Sequence, residues 1–223
     1  MDKSISFVSV ILLSGGQGTR MRSTTPKTFL SLHSKPVALH SLTVLMAHPL
    51  VQEIIVVCHP QYQPIFPSSV KFALPGERRQ DSVYNGFQLV SKEADLVCIH
   101  DGARPFLSPS SLNAVLMEAK RHGAASLAVP AKNTIREVDA EQFSVRTLKR
   151  EVLWEMHTPQ VAKRELIAEG LKKSIEQQIE VTDDMSLVEL AGHPIKLVQD
   201  SDTNFKLTTP EDYTRALQTD HLV

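Results

Sequence analysis

The sequence predicts an α/β fold in which helices cover both faces of a mostly parallel, twisted β-sheet. Five short runs are largely apolar and have the character of buried strands, at residues 7–13, 54–58, 70–74, 96–100 and 125–129. Segments with apolar residues at helical spacing lie between them, within residues 37–46, 83–90 and 112–119. Strands without apolar–polar alternation are typical of sheets buried on both faces, and their alternation with helices favours parallel pairing.

The pattern changes after Pro130. Residues 134–148 predict two short strands around an acidic turn, a hairpin with too little apolar content to be stable alone. We expect a projecting arm at about residues 132–152 that contacts a second copy of the chain; an ordinary surface hairpin is the alternative. Helices at 163–177 and 184–191, a strand at 195–199 and a helix from Pro210 follow. Without a linker or repeat, residues 1–223 are expected to form a single domain with this arm.

Composition narrows the class of partner. The net charge of the 223 residues is -1, so no general basic field indicates nucleic acid, and an anion site must be built locally. No apolar stretch approaches the roughly 18 residues that a membrane span needs, and the N-terminus has no cleavage-site pattern. Cys58 and Cys98 end apolar runs and are expected to be structural thiols in a reducing compartment. These features predict a cytoplasmic protein without a nucleic-acid or membrane partner.

A glycine-rich, basic loop directly follows the first predicted strand. Residues 14–27 read SGGQGTRMRSTTPK, and the glycines are Gly15, Gly16 and Gly18. Such loops turn backbone N–H groups towards an anion, and Arg20 and Lys27 add positive charge to the same segment. The sequence therefore predicts a polyphosphate site here.

The commonest phosphate-binding motifs do not fit this loop. In a Walker A motif lysine directly follows the last glycine, but here Lys27 lies nine residues beyond Gly18. The third glycine of a dinucleotide fingerprint is replaced by Met21. Two further polar clusters, at residues 76–82 and 101–104, also follow predicted strands. Because the carboxyl ends of parallel strands share one edge of the sheet, we expect the three clusters to form one site.

These segments carry a family resemblance. The pattern Gly-Gly-x-Gly-Thr-Arg-Met, followed by Pro26-Lys27, is similar to the nucleotidyltransferase signature. Further motifs follow in order: GERRQDSV at 76–83, HDGARP at 100–105, TPQ at 158–160, TDD at 182–184 and NFKLT at 204–208. Together, over residues from about 10 to 212, they resemble the 2-C-methyl-D-erythritol 4-phosphate cytidylyltransferases of the non-mevalonate isoprenoid pathway.

The resemblance implies a Rossmann-like fold of the nucleotidyltransferase type. It also implies a reaction in which CTP and 2-C-methyl-D-erythritol 4-phosphate give 4-diphosphocytidyl-2-C-methyl-D-erythritol and diphosphate. The attacking phosphate is already anionic, so the enzyme needs cations that bring two anions together rather than a general base. Arg20 and Lys27 match the catalytic positions, and Asp101 matches the ligand of Mg²⁺, with a turn cap as its alternative. His100 is expected to be a packed core histidine.

The resemblance also distributes the binding residues over two substrates in a homodimer with exchanged arms. Thr134 and Arg150 bracket the hairpin and would act on the partner subunit's site. For Ser82, Arg150 and Asp183 the alternatives are a helix N-terminal residue, a hairpin-base salt bridge and a helix N-cap. The nucleotide-binding positions are Ser14, Gly15, Gly16, Gly18, Gly76, Arg79, Ser82 and Gly102, and those for the sugar-alcohol phosphate acceptor are Arg104, Thr134, Arg150, Thr158, Thr182, Asp183 and Lys206.

Two other functions stay open at this point. Ribitol-5-phosphate cytidylyltransferases and other sugar-phosphate nucleotidyltransferases share this fold, and a nucleotide-binding sensor without activity would keep the same loop.

Four positions also depart from the family pattern. Ser14 and Gly102 stand where alanine is usual, while Pro75 and Asp200 stand where glycine is common.

Overall fold

A computed structural model describes residues 7–16 and 25–219. The strands are β1 (Val8–Leu13), β2 (Ser31–Leu32), β3 (Lys35–Pro36), β4 (Val51–Val57), β5 (Lys71–Ala73), β6 (Leu96–Asp101), β7 (Ala124–Pro130), β8 (Arg136–Val138), β9 (Ser144–Thr147), β10 (Trp154–Lys163) and β11 (Lys196–Gln199). The helices are α1 (Val37–Ala47), α2 (Arg79–Phe87), α3 (Pro109–His122), α4 (Arg164–Glu176), α5 (Met185–Leu190) and α6 (Pro210–Leu217), and short 3-10 helices span Lys27–Phe29, Pro60–Ile65 and Arg150–Val152.

The central sheet confirms the predicted α/β fold. Its seven strands follow the order β11-β7-β10-β6-β1-β4-β5. β1 pairs in parallel with β4 and β6, β4 pairs with β5, and β7 pairs with β11. β10 lies between β6 and β7 and is antiparallel to both. The sheet is therefore parallel except for one internal strand.

Strand β10 was not predicted from the sequence, and the reason is local. Residues 154–163 contain Pro159, which cannot donate a ladder hydrogen bond and is confined to edges and bulges of sheets. Here the register of β10 against β7 shifts between Met156 and Gln160, so the proline lies where the ladder is already interrupted. Residues 157–162 of β10 are buried between β6 and β7, and this burial compensates for the weak strand pattern.

Both faces of the sheet are covered, as the apolar strands predicted. Successive side chains of a strand point to opposite faces. On β1, Val10 and Leu12 join the cluster packed by α1 and α3, while Ile11 joins the cluster packed by α2, α4 and α5. Cys58 and Cys98 are buried and free, and burial raises their thiol pKa to about 11 and about 12. They are structural thiols, as expected. Among the described residues, no helix has the length and apolar character needed to span a membrane.

The direction of β10 explains where the arm emerges. β7 ends at the carboxyl edge of the sheet, and β10 runs the opposite way, so it starts at that same edge. The intervening segment carries β8 and β9, which pair with each other as a separate antiparallel hairpin. The predicted hairpin is confirmed; its contact with a second subunit stays a prediction.

Candidate active site

A cavity of about 520 Å³ lies at the carboxyl edge of the sheet. The loop after β1, the loop between β5 and α2, the end of β6 and the segment after β11 form its walls. Three clusters separated in sequence therefore meet, as the strand pattern predicted. The lining residues are Leu13, Gly15, Gly16, Lys27, Thr28, His59, Pro75, Gly76, Glu77, Arg78, Arg79, Ser82, Asp101, Ala103, Lys206 and Thr208.

Asp101 is held between two cations. The Arg79 Nη2 atom lies 3.2 Å from one carboxylate oxygen, and the Lys206 Nζ atom lies 2.7 Å from the other. Burial by itself would raise the pKa of Asp101, but the charges of Arg79 and Lys206 outweigh it and hold the pKa well below its usual range. The carboxylate is thus ionised at any working pH and orients both cations at the cavity.

The opposite side of Arg79 contacts Asp184, which the sequence analysis did not select. Its two oxygens accept hydrogen bonds from Arg79 Nη1 and Nη2 at 2.8 and 2.7 Å. Burial opposes the charge on Arg79, but Asp184 and Asp101 outweigh it and raise the pKa of the guanidinium above its ordinary value. Asp184 belongs to the TDD motif, yet the sequence offered no signal to separate it from Asp183.

Close packing explains two of the predicted glycines. A Cβ atom on Gly15 would lie 2.4 Å from the Pro75 Cβ, and one on Gly76 would lie 2.3 Å from the Asp81 Cβ. The Gly76 N–H donates to Ser82 Oγ at 3.0 Å. Ser82 therefore lines the cavity and also closes the loop that leads into α2. It lies at the cavity and in the first turn of that helix, the two places that the sequence interpretations gave it.

Ser14 and Gly102 do not line the cavity but lie against each other behind it. The Ser14 side chain is buried, and a Cβ atom on Gly102 would lie 2.4 Å from its Oγ. Both positions usually carry alanine in the family that the sequence resembles. The hydroxyl at one position thus occupies the space of the methyl group that is absent from the other.

This contact predicts a compensating pair. We expect Gly102→Ala to lower the free energy of unfolding by about 1–3 kcal/mol, because the new methyl group overpacks against Ser14 Oγ. Adding Ser14→Ala should recover most of the loss. Urea unfolding of the single and double variants measures both changes. Equal destabilisation with and without Ser14→Ala would show that the two side chains are not coupled.

A buried chain of hydrogen bonds begins at the main-chain N–H of Asp101. The Asp101 N–H donates to Thr158 Oγ1 at 3.0 Å, and Thr158 Oγ1 lies 3.0 Å from His100 Nδ1. His100 Nε2 lies 3.2 Å from the Arg104 carbonyl, which can only accept, so Nε2 carries the proton and Nδ1 accepts from Thr158. Thr158 lies behind the cavity wall. His100 is a core histidine, as expected.

His100 should make stability depend on pH. Burial lowers its pKa to about 4 from a usual 6.5, so the unfolded chain binds the additional proton between these values. Stability is then complete above pH 6.5 and falls by about 3 kcal/mol as the pH drops to 4. Unfolding of the wild type and of His100→Gln at several pH values, with the exposed His33→Gln as control, measures this loss. The same pH slope in His100→Gln would contradict the assignment.

The remaining predicted acceptor positions do not line the cavity. Arg104 is buried and donates to the carbonyl oxygens of Asn204 and Met156, at 2.7 and 3.2 Å. Asp183 accepts from the Ser186 N–H at 2.9 Å at the start of α5, but the N-cap residue of that helix is Asp184, so the alternative left open for Asp183 holds only for the contact and not for the position. Thr182 is exposed.

Thr134 and Arg150 lie on the exposed arm. Arg150 Nη1 donates to the Lys132 carbonyl at 2.7 Å, so its contact at the hairpin base is a hydrogen bond to backbone. Neither residue lines the cavity. Two further predicted residues, Gly18 and Arg20, lie outside the described residues.

Comparison with known proteins agrees with this architecture. The family model for 2-C-methyl-D-erythritol 4-phosphate cytidylyltransferase (IspD) matches residues 8–219. The chloroplastic enzyme of that name from Oryza sativa subsp. japonica is 49% identical over 92% of this chain and 71% of its own length. The Chlamydia pneumoniae enzyme is 46% identical over 93% of this chain and 96% of its own length.

A solved structure shows the same fold. The crystal structure of 2-C-methyl-D-erythritol 4-phosphate cytidylyltransferase from Thermus thermophilus superposes with a TM-score of 0.81 at 30% identity, covering 95% of this chain and 98% of that one. The family match, these relatives and the arrangement of the cavity agree. The chain belongs to the 2-C-methyl-D-erythritol 4-phosphate cytidylyltransferase family.

Proposed function

We propose that the cavity at the carboxyl edge is where this nucleotidyltransferase joins 2-C-methyl-D-erythritol 4-phosphate to the α-phosphate of CTP, releasing diphosphate. One observation carries the proposal: Asp101, Arg79 and Lys206 meet on the cavity wall that Lys27 and the first glycine loop complete. Two anions that repel each other must be brought together, and this wall supplies fixed cations around a carboxylate.

The nucleotide half of the site follows from the two glycine loops. Gly15 and Gly16 line the cavity at the end of β1, and we assign them, with Gly18, to the triphosphate and ribose. Gly76 and Ser82 also line the cavity and are assigned to the cytosine. Cytosine differs from uracil by a donor amine where uracil has an acceptor, so buried acceptors beside them would select it. Arg20 and Lys27 are assigned to charge stabilisation in the transition state.

Asp101 fits a magnesium site completed by substrate. Among the described residues there is no group of three acidic, histidine or cysteine side chains placed to hold a metal. An ionised carboxylate at the cavity is nevertheless what Mg²⁺ needs, because this ion is held by one or two carboxylates plus phosphate oxygens and water. The bound ion would neutralise charge on the phosphates.

The acceptor half combines residues from two subunits. Lys206 lines the cavity and is assigned to the acceptor phosphate. The arm leaves the sheet at the same edge but contributes no residue to its own cavity, so we assign Thr134 and Arg150 to the cavity of a partner in a homodimer. Exposed apolar side chains on the arm support this association: Val138, Phe143 and Val145 are 54%, 72% and 59% exposed.

The four other acceptor positions receive two kinds of role. Thr158 and Arg104 lie behind the cavity and are assigned to its support, whereas Thr182 and Asp183 are assigned to the acceptor hydroxyls at the start of α5.

We also propose a cytoplasmic location. The two buried, free thiols support a reducing compartment, although the rice relative is named chloroplastic.

An acceptor screen tests the proposed function. The protein is incubated with CTP, Mg²⁺ and either 2-C-methyl-D-erythritol 4-phosphate or ribitol 5-phosphate, and pyrophosphate release is followed. We expect turnover with the first acceptor and none above background with the second. Turnover only with ribitol 5-phosphate would replace the proposed acceptor. CTP binding without turnover on either acceptor would indicate a nucleotide sensor.

A further inference from the structure

Four groups of alternating charge run along one side of the cavity: Asp184, Arg79, Asp101 and Lys206. We call them the charge chain. The contacts from Arg79 to Asp184 measure 2.8 and 2.7 Å, those from Arg79 Nε and Nη2 to Asp101 measure 3.3 and 3.2 Å, and that from Lys206 to Asp101 measures 2.7 Å. The chain connects the start of α2, the end of β6 and the segments preceding α5 and α6.

The hydrogen bonds from Arg79 to its two carboxylate partners differ in length. Charge-assisted N–H···O bonds are about 2.7–2.9 Å long, so the bonds to Asp184 are of full strength and those to Asp101 are stretched. The Asp184 carboxylate is 2% exposed, whereas the Arg79 side chain is 30% exposed. The buried acid therefore anchors a cation that could otherwise move towards the cavity.

The anchor itself is held by the sheet. The Asp184 N–H donates to the Gln160 Oε1 atom at 2.8 Å, and Gln160 lies on β10 with its side chain buried. This bond fixes the main chain of Asp184, from which its carboxylate reaches Arg79. The distance between Arg79 and Asp101 is thus set from the protein interior.

We propose that Asp184 is a positioning residue that prevents Arg79 from closing on the Asp101 Oδ1 atom and so lets the divalent ion that accompanies CTP compete for that oxygen, while Lys206 contacts Oδ2. The inference rests on the proposed function, in which Asp101 holds that ion. Without the charge of Asp184, the whole guanidinium charge would act on Asp101. The metal would then compete with a close, bidentate arginine for the same carboxylate.

Binding of CTP at a series of Mn²⁺ concentrations, measured by calorimetry without acceptor, tests this role. Asp184→Asn keeps the shape of the side chain and removes its charge. We expect it to raise the half-saturating Mn²⁺ concentration about tenfold, the factor that corresponds to about 1.4 kcal/mol. The matched control, Glu169→Gln, removes an exposed carboxylate that pairs with Lys173 at 2.8 Å on α4. It should retain the wild-type Mn²⁺ dependence.

A double variant separates charge from structural damage. Because Arg79 is itself assigned to nucleotide binding, the double variant is compared with Arg79→Gln. With the competing cation already removed, adding Asp184→Asn to Arg79→Gln should leave the half-saturating Mn²⁺ concentration unchanged. A further tenfold rise on adding Asp184→Asn to Arg79→Gln would overturn the inference, and so would an unchanged Mn²⁺ dependence in Asp184→Asn alone. Where Asp184→Asn alone does not fold, the comparison of Arg79→Gln with the double variant provides the decision.

The variant Asp101→Asn distinguishes a failure of this inference from a failure of the metal assignment on which it rests. If Asp101→Asn leaves the Mn²⁺ dependence unchanged, Asp101 holds no metal, and the metal assignment fails together with the role of Asp184. If Asp101→Asn raises the half-saturating Mn²⁺ concentration and Asp184→Asn does not, only the role of Asp184 is wrong.

Discussion

Replacing Lys27 by alanine is expected to lower kcat more than a hundredfold, which corresponds to about 3 kcal/mol of lost transition-state stabilisation. The reason is geometric and electrostatic. Lys27 begins a 3-10 helix after the glycine loop and lines the cavity together with Gly15 and Gly16. Negative charge builds up on the transferred phosphoryl group, and no general base contributes to the rate, so the loss of a cation falls on the chemical step.

Steady-state kinetics with CTP and 2-C-methyl-D-erythritol 4-phosphate measure the effect. The matched control is Lys92→Ala, which removes an exposed lysine before β6 begins, at the edge of the sheet opposite the cavity. It should keep the wild-type kcat. A kcat of Lys27→Ala close to that of the wild type would remove Lys27 from the mechanism, and a rise in KM alone would make it a binding residue only.

Mixing two inactive variants is expected to restore activity if the arms are exchanged. Lys27→Ala damages the cavity and Arg150→Ala damages the arm, and each homodimer would have two defective sites. In a mixed dimer, one site combines both defects and the other has an intact cavity and an intact partner arm. Random reassociation at equal amounts makes half of the dimers mixed, so about a quarter of the wild-type activity should return.

The experiment requires subunit exchange, which sedimentation of differently tagged chains verifies. Lys149→Ala, an exposed substitution beside Arg150, serves as the control and should be active without mixing. Mixed dimers with no more activity than either parent would show that Arg150 serves its own subunit. Chains that sediment as monomers at the assay concentration would exclude the exchanged arm altogether.

The parts of the fold that sequence could predict share a physical property. β1, β6 and β7 are largely apolar because both of their faces are buried, and this pattern is visible in the residues themselves. Helix α6 begins where Pro210 and its acidic neighbours indicated, with Thr209 accepting from the Asp212 N–H. β10 lacked such a signal, since its burial comes from the strands on either side of it.

The candidate site divides in the same way. The glycine loops, Lys27, Asp101 and Lys206 could be proposed from motifs, because loops after parallel strands meet at one edge. The pairing of Arg79 with Asp184 joins residues 105 positions apart, and no periodicity or spacing indicates it. The contact between Ser14 and Gly102 is equally invisible, although both were recognisable as departures from the family pattern.

The sequence by itself determined the class of fold, the edge of the sheet at which the cavity lies and the family to which the chain belongs. Each of these depends on local patterns: largely apolar strands, glycines in the loops that follow them, and short motifs in a set order. Only the tertiary structure decided which charges face one another, that Arg104 and Thr158 lie behind the cavity, and that the arm leaves from the same edge as the site. These depend on distances between segments remote in the chain, which packing of the helices on the sheet sets.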